Sequence, residues 1–149
     1  MHLLRERDAQ AVRSRLAALT QPVRLVYFTE GTSGLIIPGR ECPYCGETLR
    51  LLEDVASCSA QVTLEVHDRS SDPEPFTRYG IDKVPGLVVM GAHDYGIRYY
   101  GLPAGYELAT LLDIMVDVSR GTTDVGADTR AALARLPVEV RLQVFVTPT

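Results

Sequence analysis

The sequence predicts a mixed α/β fold, and three observations carry that expectation. Short apolar runs alternate with stretches of helical periodicity, in the order strand, helix, strand, helix, strand, strand, helix, behind a leading helix. Two cysteines separated by two residues, Cys42 and Cys45, stand where the first apolar run gives way to a helical pattern. The last two strand-like runs are joined by six residues bounded by Gly91 and Gly96, which marks an antiparallel hairpin. A chain of 149 residues suits one domain with a sizeable core, and 46% hydrophobic with 23% charged residues places it among globular chains.

The leading helix is expected from Arg5 to Leu19, where Ala9, Val12, Leu16 and Leu19 recur at helical spacing, and Gln21-Pro22 stops it. Val23 to Phe28 reads as a strand buried on both faces, as the centre of an α/β sheet requires. Thr29 to Arg40 holds Gly31, Gly34, Pro38 and Gly39 around Leu35-Ile36-Ile37. It is a long loop whose apolar centre is expected to cover something. The next helix is expected from about Pro43 to Ala56, with Leu49, Leu52, Val55 and Ala56 facing a sheet.

Val62-Thr63-Leu64-Glu65-Val66 alternates strictly and predicts a second strand. Ser70-Ser71-Asp72-Pro73 is turn chemistry, and Glu74 to Tyr79 forms a short helix ended by Gly80. Leu87–Met90 and Ile97–Tyr100 supply the hairpin. Pro103 then opens the most regular helix, with Leu108, Leu111, Leu112, Met115 and Val118 on one stripe. Glu107, Thr110, Asp113, Asp117 and Arg120 lie opposite, and Gly121 closes it.

After Thr122 the chain repeats itself. Arg13–Thr29 aligns without gaps on Arg130–Val146, and eight of the 17 positions are identical: Arg130, Leu133, Ala134, Leu136, Val140, Arg141, Leu142 and Phe145 match residues 117 positions earlier. A full unit over residues 1–121 is therefore expected, followed over 122–149 by the helix and strand that open an incomplete second one. A strand at Val140–Val146 would have unpaired N–H and C=O groups on both sides. Exchange between two copies, giving a homodimer, is the expected solution; self-pairing at an edge and disorder are the other two.

The balance of charge excludes some partners. Net charge is −4 with no basic cluster, so nucleic acid is not expected. No run reaches transmembrane length, so no membrane association is expected. The stretch Met1–Leu19 lacks an uninterrupted apolar core of signal-peptide length, and a cytoplasmic location is expected. Three cysteines do not make a disulfide scaffold, and in a reducing compartment a Cys-x-x-Cys pair is catalytic or metal-binding.

The catalytic reading follows from position. A pair between a strand and a helix reads as a thioredoxin-like redox motif. Unpaired N–H groups and the dipole at a helix start stabilise an anion, and the thiolate is the nucleophile. Cys42 is expected to attack and Cys45 to resolve. Val84-Pro85, ahead of an apolar strand, is expected to be cis and to turn the Val84 backbone toward the thiolate, where an extended substrate peptide can pair with it. Pro43 and Tyr44 complete the expected substrate surface.

Zinc is the main rival, since Cys-Pro-Tyr-Cys-Gly also suits a zinc knuckle. A structural site wants four ligands, and only Cys58, His67 and His93 remain, at no motif spacing. A Cys–His hydrolase would need a histidine beside Cys42; His67 and His93 are both expected at the surface near strand ends. Cys58 lies 13 residues along the helix from Cys45, about 20 Å away at 1.5 Å per residue, and is expected to be a buried, inert thiol. A non-catalytic binding module, or half of a split protein with an idle dithiol, also remains open.

The chain resembles the glutaredoxin-like protein disulfide oxidoreductases of archaea and thermophilic bacteria, which carry two thioredoxin-fold units in tandem. The stretches that carry the resemblance run from Leu3-Leu4 through Val23–Val26, then Cys42-Pro43-Tyr44-Cys45, Tyr79–Asp82, Val84-Pro85, Ile97–Gly105, Val116–Arg120 and Val144–Thr149. The resemblance implies a thioredoxin-like fold and thiol–disulfide exchange at Cys42 and Cys45, with the bond before Pro85 cis beside them. It implies no cofactor, protein disulfides as substrates, and a reductase or glutathione as electron donor. Two departures are the length of the Thr29–Arg40 loop and the missing second dithiol unit.

Overall fold

A computed structural model of the chain describes residues 3–31, 38–39 and 41–147. Its elements follow one another as α1 (Glu6–Leu16), β1 (Val23–Thr29), α2 (Cys45–Ser57), β2 (Val62–Asp68), α3 (Glu74–Tyr79), β3 (Gly86–Met90), β4 (Arg98–Tyr100), α4 (Tyr106–Arg120) and α5 (Ala127–Leu133). Four strands form one sheet in the order β2-β1-β3-β4. β1 runs parallel to β2, with Val23 opposite Val62 and Thr29 opposite Asp68. It runs antiparallel to β3, with Phe28 opposite Gly86, and β3 pairs antiparallel with β4. This is the expected mixed α/β thioredoxin-like fold.

The alternation of β1 divides the core between the two faces of the sheet. Val23, Leu25 and Tyr27 pack with Val12 and Leu16 of α1, Leu52 and Val55 of α2, and Leu111 and Met115 of α4. Val26 and Phe28 point the other way, against Phe76 and Ile81 beside α3. Only Arg24 of β1 is exposed, so the reading of a strand covered on both faces holds. Position in the sheet explains the contrast with β2: at an edge, its Val66 stays exposed despite the alternating pattern.

α4 lies across β3, and glycine allows the approach. A Cβ at Gly91 would meet the Val118 carbonyl oxygen at 2.1 Å. Gly121 closes α4 in the left-handed region at φ 67°, its N–H donating to the Asp117 carbonyl.

Helix boundaries differ from expectation at three ends. α1 stops at Leu16, although Leu19 beyond it remains buried. α2 begins at Cys45 instead of Pro43, because Pro43 and Tyr44 form a turn. α4 begins at Tyr106, after a turn in which Pro103 is buried. The buried stripe of α2 is also wider than the four positions read from periodicity and includes Thr48 and Leu51.

In the C-terminal stretch the expected helix forms as α5, with no buried residue. The strand expected over Val140–Val146 does not form: none of residues 134–147 joins the sheet, and Val140, Leu142, Val144, Phe145 and Val146 are exposed. Apolar composition predisposes a segment to a strand, but a ladder of backbone partners makes one.

Candidate active site

β1 aims the chain at the site. Its carboxyl end at Thr29 and the amino end of β3 at Gly86 lie at the same edge of the sheet, because Phe28 pairs with Gly86 in antiparallel register. α2 starts at that edge too, since the Tyr27 hydroxyl donates to the Cys45 carbonyl at 2.8 Å. Sequence-distant residues are thereby gathered: Cys42–Cys45 ahead of and at the start of α2, and Val84-Pro85 just before β3. The Val84–Pro85 bond is cis, as expected, and the Pro85 carbonyl accepts from the Gly101 N–H at 3.0 Å.

Cys42 and Cys45 form a disulfide, with Cα atoms 5.4 Å apart. The two sulfurs have different surroundings. Cys42 is half-buried on the turn, flanked by exposed Pro43 and by Tyr44 at 56% exposure. Cys45 is the first residue of α2 and only 4% exposed. Its N–H donates to the Cys42 carbonyl at 3.3 Å. Cys42 therefore stands ahead of the helix, with Tyr44 at the cap position. A helix from about Pro43, as expected, would put Cys42 at its cap and Cys45 inside its first turn; the observed start is two residues later. The Pro43-Tyr44 turn takes the place of the first half-turn.

Two buried threonines stand beside the Tyr27 hydroxyl that bonds the Cys45 carbonyl. Tyr27, Thr29 and Thr48 are fully buried, and the Thr29 and Thr48 hydroxyls flank that of Tyr27. Burial pushes the Tyr27 phenol up to about 12, an effect the two threonines partly offset. Neither threonine oxygen makes a hydrogen bond of ordinary length and angle, and the Tyr27 hydroxyl is the polar group beside both. Nothing in the sequence singled out these three residues. The available signal was a threonine three positions after Cys45, which puts both on one face of α2.

His67 corrects a second expectation. It is not a surface residue: the side chain is 11% exposed, packed 5.5 Å from the Phe28 ring. Its Nδ1 lies 2.6 Å from Asp72 Oδ2 and its Nε2 lies 2.7 Å from Glu65 Oε1, so both nitrogens are engaged away from the cysteines. His93 is exposed, beside Tyr95. Cys58 is free and half-buried at the far end of α2, not fully buried, and its sulfur lies 3.3 Å from the Asp54 carbonyl oxygen. Among the described residues no group of three or more His, Cys, Asp and Glu side chains is arranged to hold a metal ion. Leu35-Ile36-Ile37 and Arg40 of the preceding loop lie outside the described residues.

Among the described residues no helix is long and apolar enough to cross a membrane. The chain is similar in structure to a protein disulfide oxidoreductase from Aeropyrum pernix K1, at a TM-score of 0.75 and 25% identity over 91% of this chain and 57% of that one. It is similar to the alkylhydroperoxide reductase AhpF from Enterococcus faecalis, in a C503A mutant, at a TM-score of 0.74 and 25% identity, over 90% of this chain and 61% of that one. The N-terminal domain of the same reductase matches at a TM-score of 0.71 and 23% identity, with the same coverage, and shows the fold alone. The chain thus spans about three fifths of the length of each of these proteins. No curated protein matches it. The model of the thioredoxin domain matches residues 35–113, more than half of the chain, from the loop before the disulfide into α4. With that match over a sheet in the order β2-β1-β3-β4 and a disulfide leading into α2, the chain belongs to the thioredoxin-domain family.

Proposed function

We propose that the protein is a thiol–disulfide oxidoreductase acting on protein disulfides. The observation that carries this reading is the asymmetry of the disulfide, one sulfur half-exposed on a turn and the other buried at the first residue of α2. In the reduced form the Cys42 thiolate attacks a substrate disulfide. A mixed disulfide forms, and the first substrate sulfur leaves as thiolate. Cys45 then attacks the Cys42 sulfur, closes the 42–45 bond and expels the second substrate sulfur. Two electrons have passed from the protein to the substrate.

The substrate is received by Pro43 and Tyr44, exposed next to Cys42 in the chain, and by Val84 and Pro85, just ahead of the β3 end that pairs with Phe28. No cofactor enters. A reductase or glutathione resupplies the electrons, which fits a cytoplasmic location. The similarity to a disulfide oxidoreductase and to an alkylhydroperoxide reductase supports the reaction type.

Insulin reduction by dithiothreitol tests this. The wild-type chain should accelerate precipitation of the insulin B chain, and Cys45→Ser should accumulate a mixed disulfide through Cys42. No acceleration would instead favour a binding module with an idle dithiol. A dithiol that alkylates faster at Cys45 than at Cys42 near neutral pH would reverse the assignment of roles.

The exposed apolar stretch supports a second proposal. Residues 122–149 carry the repeated helix-and-strand pattern, and through them two copies exchange strands as a homodimer. Light scattering at tens of micromolar, before and after deletion of residues 123–149, tests it. A dimer lost on deletion is expected; a monomer in both cases contradicts it.

A further inference from the structure

Two buried hydroxyls flank the Tyr27 hydroxyl, that of Thr48 on the face of α2 shared with Cys45 and that of Thr29 at the end of β1. Neither makes a hydrogen bond of ordinary length and angle, and this calls for a reason. Buried hydroxyls in folded proteins are nearly always satisfied, because desolvation without a partner costs free energy. A threonine inside a helix has a ready local solution, the carbonyl one turn back. For Thr48 that carbonyl belongs to Tyr44, which accepts the Thr48 N–H at 2.9 Å, while the Thr48 hydroxyl makes no ordinary hydrogen bond. Thr48 is three residues beyond Cys45 and shares its buried face of α2. Tyr27, in β1, has spent its proton on the Cys45 carbonyl and so fixes the backbone of that cysteine. Thr29 lies behind, equally buried and equally without an ordinary hydrogen bond.

We infer that Thr48 is a positioning residue for the resolving cysteine, its hydroxyl making no ordinary hydrogen bond in the disulfide form and donating to the Cys45 sulfur once the pair is reduced. The inference rests on the proposed redox role of the pair. A disulfide sulfur is a poor acceptor and a thiolate a strong one, so the contact is worth far more in the reduced state. Without a donor, a thiolate at so buried a place would be strongly disfavoured. In the resolving step the Cys45 thiolate attacks Cys42 of the mixed disulfide, and the bond from Cys42 to the substrate sulfur breaks. The substrate leaves as thiolate and takes up the proton that Cys45 gave up. A hydroxyl that favours the Cys45 thiolate and aims it raises the fraction of mixed disulfides resolved and draws the dithiol–disulfide equilibrium toward the dithiol.

The test is the equilibrium of the full chain with glutathione buffers of graded ratio, read by alkylation and mass. Thr48→Val removes the hydroxyl at nearly constant shape, Thr48→Ala removes it with the methyl, and Thr48→Ser restores it. The Val and Ala variants should shift the equilibrium toward the disulfide by about tenfold, equivalent to a potential about 30 mV more negative, while the Ser variant stays within about twofold of wild type. Should the Val variant fail to fold, the Ala and Ser pair gives the same comparison. A merely structural threonine would lower the stability of both redox forms and leave the equilibrium where it was. Equal equilibrium constants for wild type, Val and Ala overturn the inference. A wild-type chain that does not equilibrate with glutathione at all overturns the redox reading itself, and the wild type alone reveals that failure.

Discussion

Arg13–Thr29 and Arg130–Val146 are two copies of one sequence pattern with opposite fates. Leu25 and Phe28 in the first copy are fully buried. Their counterparts Leu142 and Phe145 are 86% and 90% exposed. Both copies begin with a helix, α1 and α5, so local propensity is expressed in each. The difference lies in what flanks the strand. β1 sits between β2 and β3 with helices on one face and α3 on the other, and every turn of its pleat finds a neighbour. The second copy has the pattern without the neighbours. A helix satisfies its backbone within itself, whereas a strand must be completed by others.

The first copy carries the chemistry, since β1 leads to Cys42–Cys45. The largest expected effect follows. Cys42→Ser should reduce disulfide exchange to the uncatalysed rate in the insulin assay. Nothing else in the chain can stand in, as Cys58 is about 20 Å along α2 from the site. Residual exchange in that variant would mean that a second reactive site exists.

Paired truncations break the comparison at its centre. Phe28→Ala should cost about 3–5 kcal/mol in urea denaturation, through lost burial and the cavity left beside Phe76, Tyr79 and His67. Phe145→Ala, measured at concentrations where the chain is monomeric, should change stability by no more than about 0.5 kcal/mol. Equal costs would show that the second copy is packed after all. Deleting residues 123–149 under the same dilute conditions should leave the remaining domain within about 0.5 kcal/mol, since α5 buries nothing. At tens of micromolar the full chain alone should gain stability with concentration, through association.

How much of this was legible follows the same division. The order of elements, the cysteine pair and Val84-Pro85 could be read because each rests on local pattern or on a motif with its own chemistry. β1 was legible because a strand buried on both faces is apolar throughout, whatever surrounds it. The start of α2 lies two residues beyond its expected place because proline tolerates a helix's first turn as well as the turn before it. The burial of His67 was not legible because it comes from Phe28 on β1, and its partners are Asp72 and Glu65, an arrangement fixed by register. Thr29 and Thr48 were invisible for the same reason: a threonine in a strand and one in a helix mean nothing until α2 lies on β1.

The smallest effect lies in the β3–β4 hairpin, at the edge of the sheet away from β2. Arg98 holds Asp94 through two hydrogen bonds of 2.8 and 2.7 Å and donates to the Tyr79 carbonyl at 2.9 Å. The guanidinium keeps the Asp94 carboxyl below the usual carboxylate range. A carboxyl lowered on folding stabilises above its unfolded pKa, near 3.9, and that contribution is lost as pH falls through the folded value. Asp94→Asn should therefore lower the urea midpoint at pH 7 by the equivalent of roughly 0.5 kcal/mol, and the difference should fade in strong acid. A difference unchanged by acid would place the effect outside this ion pair.

Titration of the full chain through glutathione buffers, with alkylation and intact mass at each ratio, tests the central claim most directly. Cys42 and Cys45 should pass together from protected to alkylated in one two-electron transition, while Cys58 takes no part in it. A pair that stays disulfide-bonded at every ratio, or one whose two sulfurs titrate separately, would contradict the claim that this site is a working dithiol.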